Sequence, residues 1–314
     1  MMDSIKTSLD QFMKNKNWHS RYEKLQREVL DYSRVRAFLA SHPEVKEAPA
    51  EKNINKLFEY KREREHCDAC PGLAECPNIM QGYQPEISAA DGLVELHYHP
   101  CRLKQKADER KRHQSLIKSL YIPQEILNAT FDDIEQDHAS RLSASNAALE
   151  FAIQARPGED SIGLYFHGPF GVGKTYMMGA IANELAERRI SSMIVYVPDF
   201  FREMKQSISD GSVQEKLDNV KNIDVLILDD IGAETISPWV RDDVLGVILQ
   251  HRMMEKLPTL YTSNFDYEEL EAHLASSQRG AVEKIDETKA KRIMERVKHL
   301  TSPVFIDGKN RRGR

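Results

Sequence analysis

A glycine-rich segment with the spacing G-x-x-x-x-G-K-T gives the strongest indication of chemistry in this sequence. An apolar run of strand length precedes it at 162–167, and apolar residues at helical spacing follow it. In such a turn the glycines let backbone N–H groups face a β-phosphate, and the helix dipole adds positive potential. Lys174 would reach the β- and γ-phosphates, and the Thr175 hydroxyl would ligate Mg²⁺. The eight residues of this predicted nucleoside triphosphate site are Gly168, Pro169, Phe170, Gly171, Val172, Gly173, Lys174 and Thr175.

A second segment could supply the carboxylates that such a site needs. The apolar run 225–228 leads into Asp229 and Asp230. In a phosphate-loop fold we expect this strand beside the strand that enters the loop. Asp229 would then hold Mg²⁺ through water, and Asp230 would orient the attacking water. Alternatively, two acids at a strand end simply cap the following turn.

Two later segments carry further candidates for contact with phosphate. The predicted strand 259–262 leads to Asn264, whose amide could hydrogen-bond a γ-phosphate or the attacking water, although Thr-Ser-Asn alone is also a turn signal. Arg292 and Arg296 lie four residues apart in a predicted helix and would present two guanidiniums on one face. Surface arginines paired with Glu287 or Glu295 are the alternative.

The cysteines suggest a second, separate site. Cys67, Cys70, Cys76 and Cys101 are the four cysteines of the chain, and in a reducing compartment their clustering favours a metal over disulfides. Four thiolates can hold a structural Zn²⁺ with no open position. The alternatives are His97 or His99 in place of one thiolate, an iron–sulfur cluster, or buried cysteines without metal.

The 314 residues are enough for two domains. Apolar stripes, first Ile5, Leu9, Phe12 and Met13, predict helices over 1–40, and a second helical stretch covers 53–65. A polar, basic stretch from 102 to 119 predicts a solvated linker. We therefore expect a small, mostly helical zinc-binding domain at 1–105, a linker at 106–130 and an α/β domain at 131–314. In that last domain strands alternate with helices, which predicts a parallel, doubly wound sheet.

Composition limits the remaining possibilities. No apolar run is long enough to span a bilayer and no signal peptide is evident, so we expect a cytoplasmic protein. The formal net charge is -5, so any contact with DNA must come from local patches.

The phosphate loop, the acid pair, Asn264 and the arginine block together resemble the Walker A, Walker B, sensor 1 and arginine-finger motifs of AAA+ ATPases. The sequence is most similar to the clade of the DnaA initiator and the DnaC/DnaI-type bacterial helicase loaders. The resemblance implies an ATPase that uses ATP and Mg²⁺. It also implies that Arg296 is an arginine finger for a neighbouring subunit, and that Arg311, or else Arg312, is the sensor 2 residue.

The same resemblance implies a function. Such a loader binds the hexameric replicative helicase and places it on single-stranded DNA during initiation or restart. It would self-associate in the complex and could contact other primosomal proteins. Alternatives are a transposition-helper ATPase acting on target DNA and a P-loop small-molecule kinase. Because Asp230 replaces the commoner and longer Glu, we expect slow basal hydrolysis.

The clade also implies a DNA-facing segment at 198–205. Arg202 and Lys205 are the predicted phosphate contacts. Phe200 and Phe201 could stack on bases or belong to the core, and the sequence does not separate these two interpretations.

Overall fold

The computed structural model describes residues 16–46, 50–135, 137–160, 162–279 and 282–311. They divide into two compact units, one ending at Arg110 and one beginning at Lys111. The expected stripe of Ile5, Leu9, Phe12 and Met13 lies outside the described residues. No helix in the described part of the chain has the length and apolar character needed to cross a membrane.

The first unit consists of helices followed by a β-hairpin that packs against them. Val29, Val35, Ile54 and Leu57 from the helices pack with Val94 of the hairpin. The elements are α1 (Lys16–Leu30), α2 (Ser33–Ser41), α3 (Pro43–Lys46), α4 (Ala50–Asp68), β1 (Tyr83–Ala90) and β2 (Leu93–Pro100).

The hairpin was not predicted from the sequence. Its strands pair antiparallel from Tyr83 opposite Pro100 to Ala90 opposite Leu93. The turn consists of Asp91 and Gly92, which both have positive φ, the conformation that a tight two-residue hairpin turn requires. The Asp-Gly pair was therefore the sequence feature that indicated a hairpin turn. The first unit contains this hairpin in addition to the expected helices.

The range 106–130, expected as a linker, is partly helix and partly strand. Helix α5 (Arg102–Leu116) buries none of its residues, as its polar composition predicts. It leads directly into β3 (Ile117–Leu120), which pairs in parallel with a later strand over its whole length. A four-residue strand after a charged helix gives too short an apolar run to identify from periodicity.

The second unit is the expected doubly wound α/β fold. The remaining elements are α6 (Gln124–Leu127), α7 (Ala139–Gln154), β4 (Gly163–His167), α8 (Lys174–Glu187), β5 (Ser192–Tyr196), α9 (Val197–Asp210), α10 (Val213–Lys221), β6 (Val225–Asp229), a π-helical segment (Val240–Leu245), α11 (Gly246–Met254), β7 (Thr259–Ser263), α12 (Tyr267–Ala275), β8 (Ser276–Arg279), β9 (Val282–Ile285), α13 (Glu287–His299) and β10 (Thr301–Phe305).

Six parallel strands form the central sheet in the order β10-β4-β7-β6-β5-β3. The strands predicted at 162–167, 225–228 and 259–262 are β4, β6 and β7 of this sheet. Successive side chains enter cores on opposite faces: Tyr165 packs with the helices that follow β5 and β6, and Phe166 packs with α7 and α8. Helices on both faces are what an all-parallel sheet requires.

The strand order corrects one expectation. The acid-bearing strand β6 does not lie beside β4, because β7 pairs with both and separates them. Neighbours in a parallel sheet are set by long-range crossovers, which a local pattern does not encode. This order places the end of β7 between the phosphate loop and the two acids.

Candidate nucleotide-binding site

The phosphate loop joins β4 to α8 through a turn that only glycine allows at two points. Gly168 and Gly171 have φ of +140° and +76°. A Cβ on Gly168 would lie 2.0 Å from the carbonyl oxygen of Ile306, and one on Gly171 would lie 2.0 Å from Asn310 Oδ1. With Gly173 also left-handed at the start of α8, the loop has the alternating backbone that makes an anion-binding nest.

Lys174 lies inside the fold at the end of this loop. Lys174 is only 7% exposed. Nζ donates to the carbonyl oxygens of Gly168 and Pro169 at 2.7 and 2.8 Å, and to Asn264 Oδ1 at 2.9 Å. The Asn264 amide nitrogen in turn donates to Asp230 Oδ1 at 3.2 Å. Asn264 therefore links the loop lysine to the acid pair.

The first acid is buried and held by two hydroxyls. Asp229 is 4% exposed and accepts hydrogen bonds from Thr175 Oγ1 at 2.8 Å and Thr262 Oγ1 at 2.6 Å. Burial raises the pKa of this carboxyl, and the two hydroxyl donors oppose the rise. Asp230 has a positive φ of 60°, and its N–H donates to Thr262 Oγ1 at 2.8 Å. Thr262 thus holds the carboxylate of Asp229 and the backbone of Asp230, a role that was not predicted from the sequence.

These groups border one cleft of about 750 Å³ at the carboxyl ends of the strands. That edge is where ligands bind in open parallel sheets. One wall is apolar and comes from the segment after β3, including Ile122, Pro123 and Ile126. The predicted site residues that line the cleft are Gly171, Gly173, Lys174, Thr175, Asp229, Asp230, Asn264 and Arg311.

The two predicted arginines occupy different places. Arg311 follows β10, and its guanidinium pairs with Glu135 and, at 2.6 Å, with Asp137. Arg296 lies on α13 and does not line the cleft of its own chain; its Nη1 donates to the carbonyl oxygen of Gly246 at 3.3 Å. The alternative sensor 2 residue, Arg312, lies outside the described residues.

A second arginine borders the cleft and was not singled out from the sequence. Arg141, on α7, is 4% exposed and donates from Nη2 to the carbonyl oxygen of Val172 in the phosphate loop. An arginine within a helical pattern is usually a surface residue, so its type and spacing carried no signal.

The expected zinc site is not shown by the part of the chain that the structure describes. The residues that the structure describes contain no group of three or more His, Cys, Asp or Glu side chains placed to bind a metal ion. Burial first, and the nearby thiols of Cys76 and Cys70 to a lesser degree, raise the pKa of Cys67. The alternative ligands pair elsewhere: His97 with Glu95 and His99 with Glu86.

The predicted DNA-facing segment forms the start of α9. Phe200 and Phe201 are 1% and 2% exposed and belong to the core, so the base-stacking interpretation of these two rings is wrong. Arg202 is exposed and pairs with Asp199 at 2.8 Å, and Lys205 is exposed on the same helix.

A parallel sheet that brings a phosphate loop, an acid-bearing strand end and an asparagine to one cleft defines an AAA+ P-loop ATP-binding protein. Residues 99–314 match the family model of the IstB-like ATP binding protein, and residues 2–98 match that of the primosomal protein DnaI N-terminus. The chain belongs to the DnaI family of replicative helicase loaders, because over 99% of its length it is 43% identical to a member of that family.

Individual relatives agree with the family models. The chain is 43% identical over 312 residues to the replicative helicase loader DnaI of Bacillus subtilis (strain 168), covering 99% of each protein. It is 28% identical over 145 residues to the replicative helicase loader DnaC of Escherichia coli (strain K12), covering 46% of this chain and 58% of that protein. A crystal structure of DnaI aligns with a TM-score of 0.56 and 51% identity, covering 64% of this chain and 100% of that one.

A buried carboxyl behind the acid pair gives a testable pH dependence. Glu234 Oε2 accepts from the N–H of Gly232 at 3.1 Å, whereas Oε1 is buried with no hydrogen-bond partner among the described residues. Burial raises the pKa of Glu234 to about 7. The unfolded chain ionises this group at lower pH, so the folded state loses stability as pH rises from about 4 to about 7.

We therefore expect Glu234→Gln to unfold with a larger free energy than the wild type at about pH 8, by about 3 kcal/mol, and with an equal one at about pH 4. Glutamine keeps an oxygen for the Gly232 N–H and carries no charge. Urea unfolding at both pH values measures the difference, with the exposed Glu255→Gln as control. A gain that is the same at both pH values would contradict this assignment.

Proposed function

We propose that this protein is an ATP-dependent loader that binds the hexameric replicative helicase and places it on single-stranded DNA. The observation that carries the proposal is the similarity to the Bacillus subtilis replicative helicase loader DnaI over 99% of both chains, which includes both units. A transposition helper is disfavoured, because residues 2–98 match the DnaI N-terminal family model.

The cleft suits ATP with Mg²⁺. The Thr175 hydroxyl and the Asp229 carboxylate lie 2.8 Å apart, and hard oxygen donors of these kinds are the ones Mg²⁺ prefers. Such an ion would neutralise charge on the phosphate oxygens. Lys174 would hold the β- and γ-phosphates, and Asp230 would orient the attacking water. Asn264, already bonded to Asp230, would position that water or the γ-phosphate.

Hydrolysis in the isolated protein should be slow. Asp230 is one methylene shorter than the commoner glutamate, so its carboxylate reaches less far toward an attacking water. We propose that ATP acts as a switch, with bound nucleotide supporting assembly on the helicase and hydrolysis favouring release.

Arg296, on α13, would complete the nucleotide site of a neighbouring copy of the chain. Arg296 lies away from the cleft of its own chain, which suits a residue that acts in a neighbouring subunit. Arg311 would serve as the sensor 2 residue, since it borders the cleft and its N–H contacts the phosphate loop. Self-association within the helicase complex follows from the role of Arg296.

The remaining contacts would be divided between the two units. The first unit would grip the helicase and could also contact other primosomal proteins. On the second unit the exposed Arg202 and Lys205 would bind the phosphates of single-stranded DNA. Phosphate contacts of this kind are independent of base sequence, as loading at many sites requires.

We also propose that the four cysteines hold a structural Zn²⁺ when the metal is supplied. Their clustering between positions 67 and 101 supports this, as does the amide donor of Asn78 at 3.3 Å from Cys67 Sγ and the N–H of Gly82 at 3.4 Å from Cys76 Sγ. Such N–H donors stabilise thiolates.

Metal analysis tests the zinc proposal. Elemental analysis of the purified full-length chain should give one zinc per chain, because four thiolates fill one tetrahedral site. Cys70→Ser should reduce the zinc content by at least about tenfold, with the exposed Ser20→Ala as the control. Chelation should weaken helicase binding more than ATP binding. A zinc-free protein, or one that contains iron, would contradict the proposal.

Replacing the loop lysine tests the ATP switch. Lys174→Ala should weaken ATP binding about 10- to 100-fold, because it removes a charged donor to the phosphates. It should also abolish ATP-dependent binding of labelled oligonucleotide while sparing the helicase contact of the first unit. Fluorescence anisotropy measures both ligands, with the exposed Lys256→Ala as control. Loss of helicase binding in Lys174→Ala would argue against separable roles for the units.

Mixing two defective proteins tests the role of Arg296. Arg296→Ala keeps an intact ATP site, and Lys174→Ala keeps an intact arginine. Within the helicase complex each variant alone should hydrolyse ATP at least about tenfold more slowly than the wild type. An equimolar mixture should recover activity, because one variant supplies the site and the other the arginine. Full activity of Arg296→Ala alone would remove the assignment.

A further inference from the structure

Two consecutive carbonyl groups of the phosphate loop accept hydrogen bonds from residues outside the loop. The carbonyl oxygen of Gly171 accepts from the backbone N–H of Arg311 at 3.0 Å. The carbonyl oxygen of Val172 accepts from the guanidinium of Arg141. The first contact comes from the segment after β10 and the second from helix α7.

Arg141 is held differently from the other deeply buried arginines of the described chain. Arg241 forms ion pairs with Asp242 and Asp286, and Arg252 donates to several carbonyl oxygens. Arg141 Nε has no hydrogen-bond partner among the described residues and lies 3.7 Å from Asp137, which already accepts from Arg311. Burying a guanidinium is costly, and the ion pair with Asp137 and the hydrogen bond to the Val172 carbonyl together offset that cost.

The geometry of the peptide bond gives this contact a consequence inside the cleft. The described peptide bonds are trans, so the carbonyl of Val172 and the N–H of Gly173 lie in one peptide plane and point in opposite directions. A donor that holds the Val172 carbonyl therefore keeps the N–H of Gly173 pointing the opposite way, at the N-terminus of α8. That N–H is one of the donors that a phosphate group meets there.

We infer that Arg141 is a positioning residue of the nucleotide site, which holds the Val172–Gly173 peptide with its N–H toward the bound phosphates. Val172 is 1% exposed, so without Arg141 its carbonyl would have little access to water. Rotation of the Val172–Gly173 peptide would give that carbonyl access to water. It would also turn the carbonyl oxygen toward the phosphates and remove the Gly173 N–H as a donor. The inference rests on the proposed binding of ATP.

Nucleotide affinity of an Arg141→Met variant tests this inference. Methionine fills similar space but donates no hydrogen bond. Titration with fluorescent analogues of ATP and ADP should show both dissociation constants raised about tenfold, because the lost donor faces the phosphate nearest the loop in both. Arg141→Lys keeps a charge and a donor and should recover part of the affinity. The matched control is Arg188→Met, since Arg188 also donates to carbonyls of α7 and its C-cap but lies away from the cleft.

The outcomes separate the inference from the proposed function. If both methionine variants lower the thermal unfolding temperature and only Arg141→Met loses affinity, the positioning role stands. If the wild type binds ATP and Arg141→Met binds it equally well, Arg141 is purely structural and the inference fails. If Arg141→Met does not fold, the comparison is made with Arg141→Leu, which also donates no hydrogen bond and in which wild-type affinity would overturn the inference. A wild type that binds no ATP would instead overturn the proposed function.

Discussion

The site depends on keeping a buried ammonium and a buried carboxylate charged at the end of one sheet. Removing either charge from water is expensive unless hydrogen bonds replace the lost solvation. Lys174 obtains them from two loop carbonyls and Asn264, and Asp229 obtains them from two threonine hydroxyls. Asn264 and Thr262 both come from β7, so the strand between the loop and the acids supplies the polar groups that both charges need.

The phosphate loop around Lys174 and Asp229 also needs support from outside. Its backbone N–H groups converge and repel one another unless an anion or fixed contacts compensate. Parts of the chain that are distant in sequence provide these fixed contacts. Gly168 and Gly171 pack against the segment after β10 so closely that no side chain fits, and Arg311 donates to the loop from the same segment. Arg141 adds the contact from α7. The nucleotide site is therefore built from the whole second unit rather than from its motif alone.

The sequence was sufficient for whatever is encoded locally. The phosphate loop, the strands β4, β6 and β7 and Asn264 were all predicted from type and spacing, because each depends on a short pattern. Thr262, Arg141 and the position of β7 were not, because they depend on strand order and on which helix packs over the loop. Phe200 and Phe201 illustrate the same limit, since an amphipathic helix does not reveal which face is covered. The hairpin in the first unit was not predicted, although the Asp91-Gly92 pair is typical of a tight hairpin turn.

The most direct test of the loader proposal is the mass, by light scattering, of this protein mixed with the replicative helicase from the same cell, with and without ATP. We expect a defined complex with the hexamer, formed through the first unit and therefore retained when Lys174 is replaced by alanine. A fragment ending near Arg110 belongs in the same experiment and should also bind. The absence of any complex under every nucleotide condition would contradict the account and favour an ATPase that acts on DNA without the helicase.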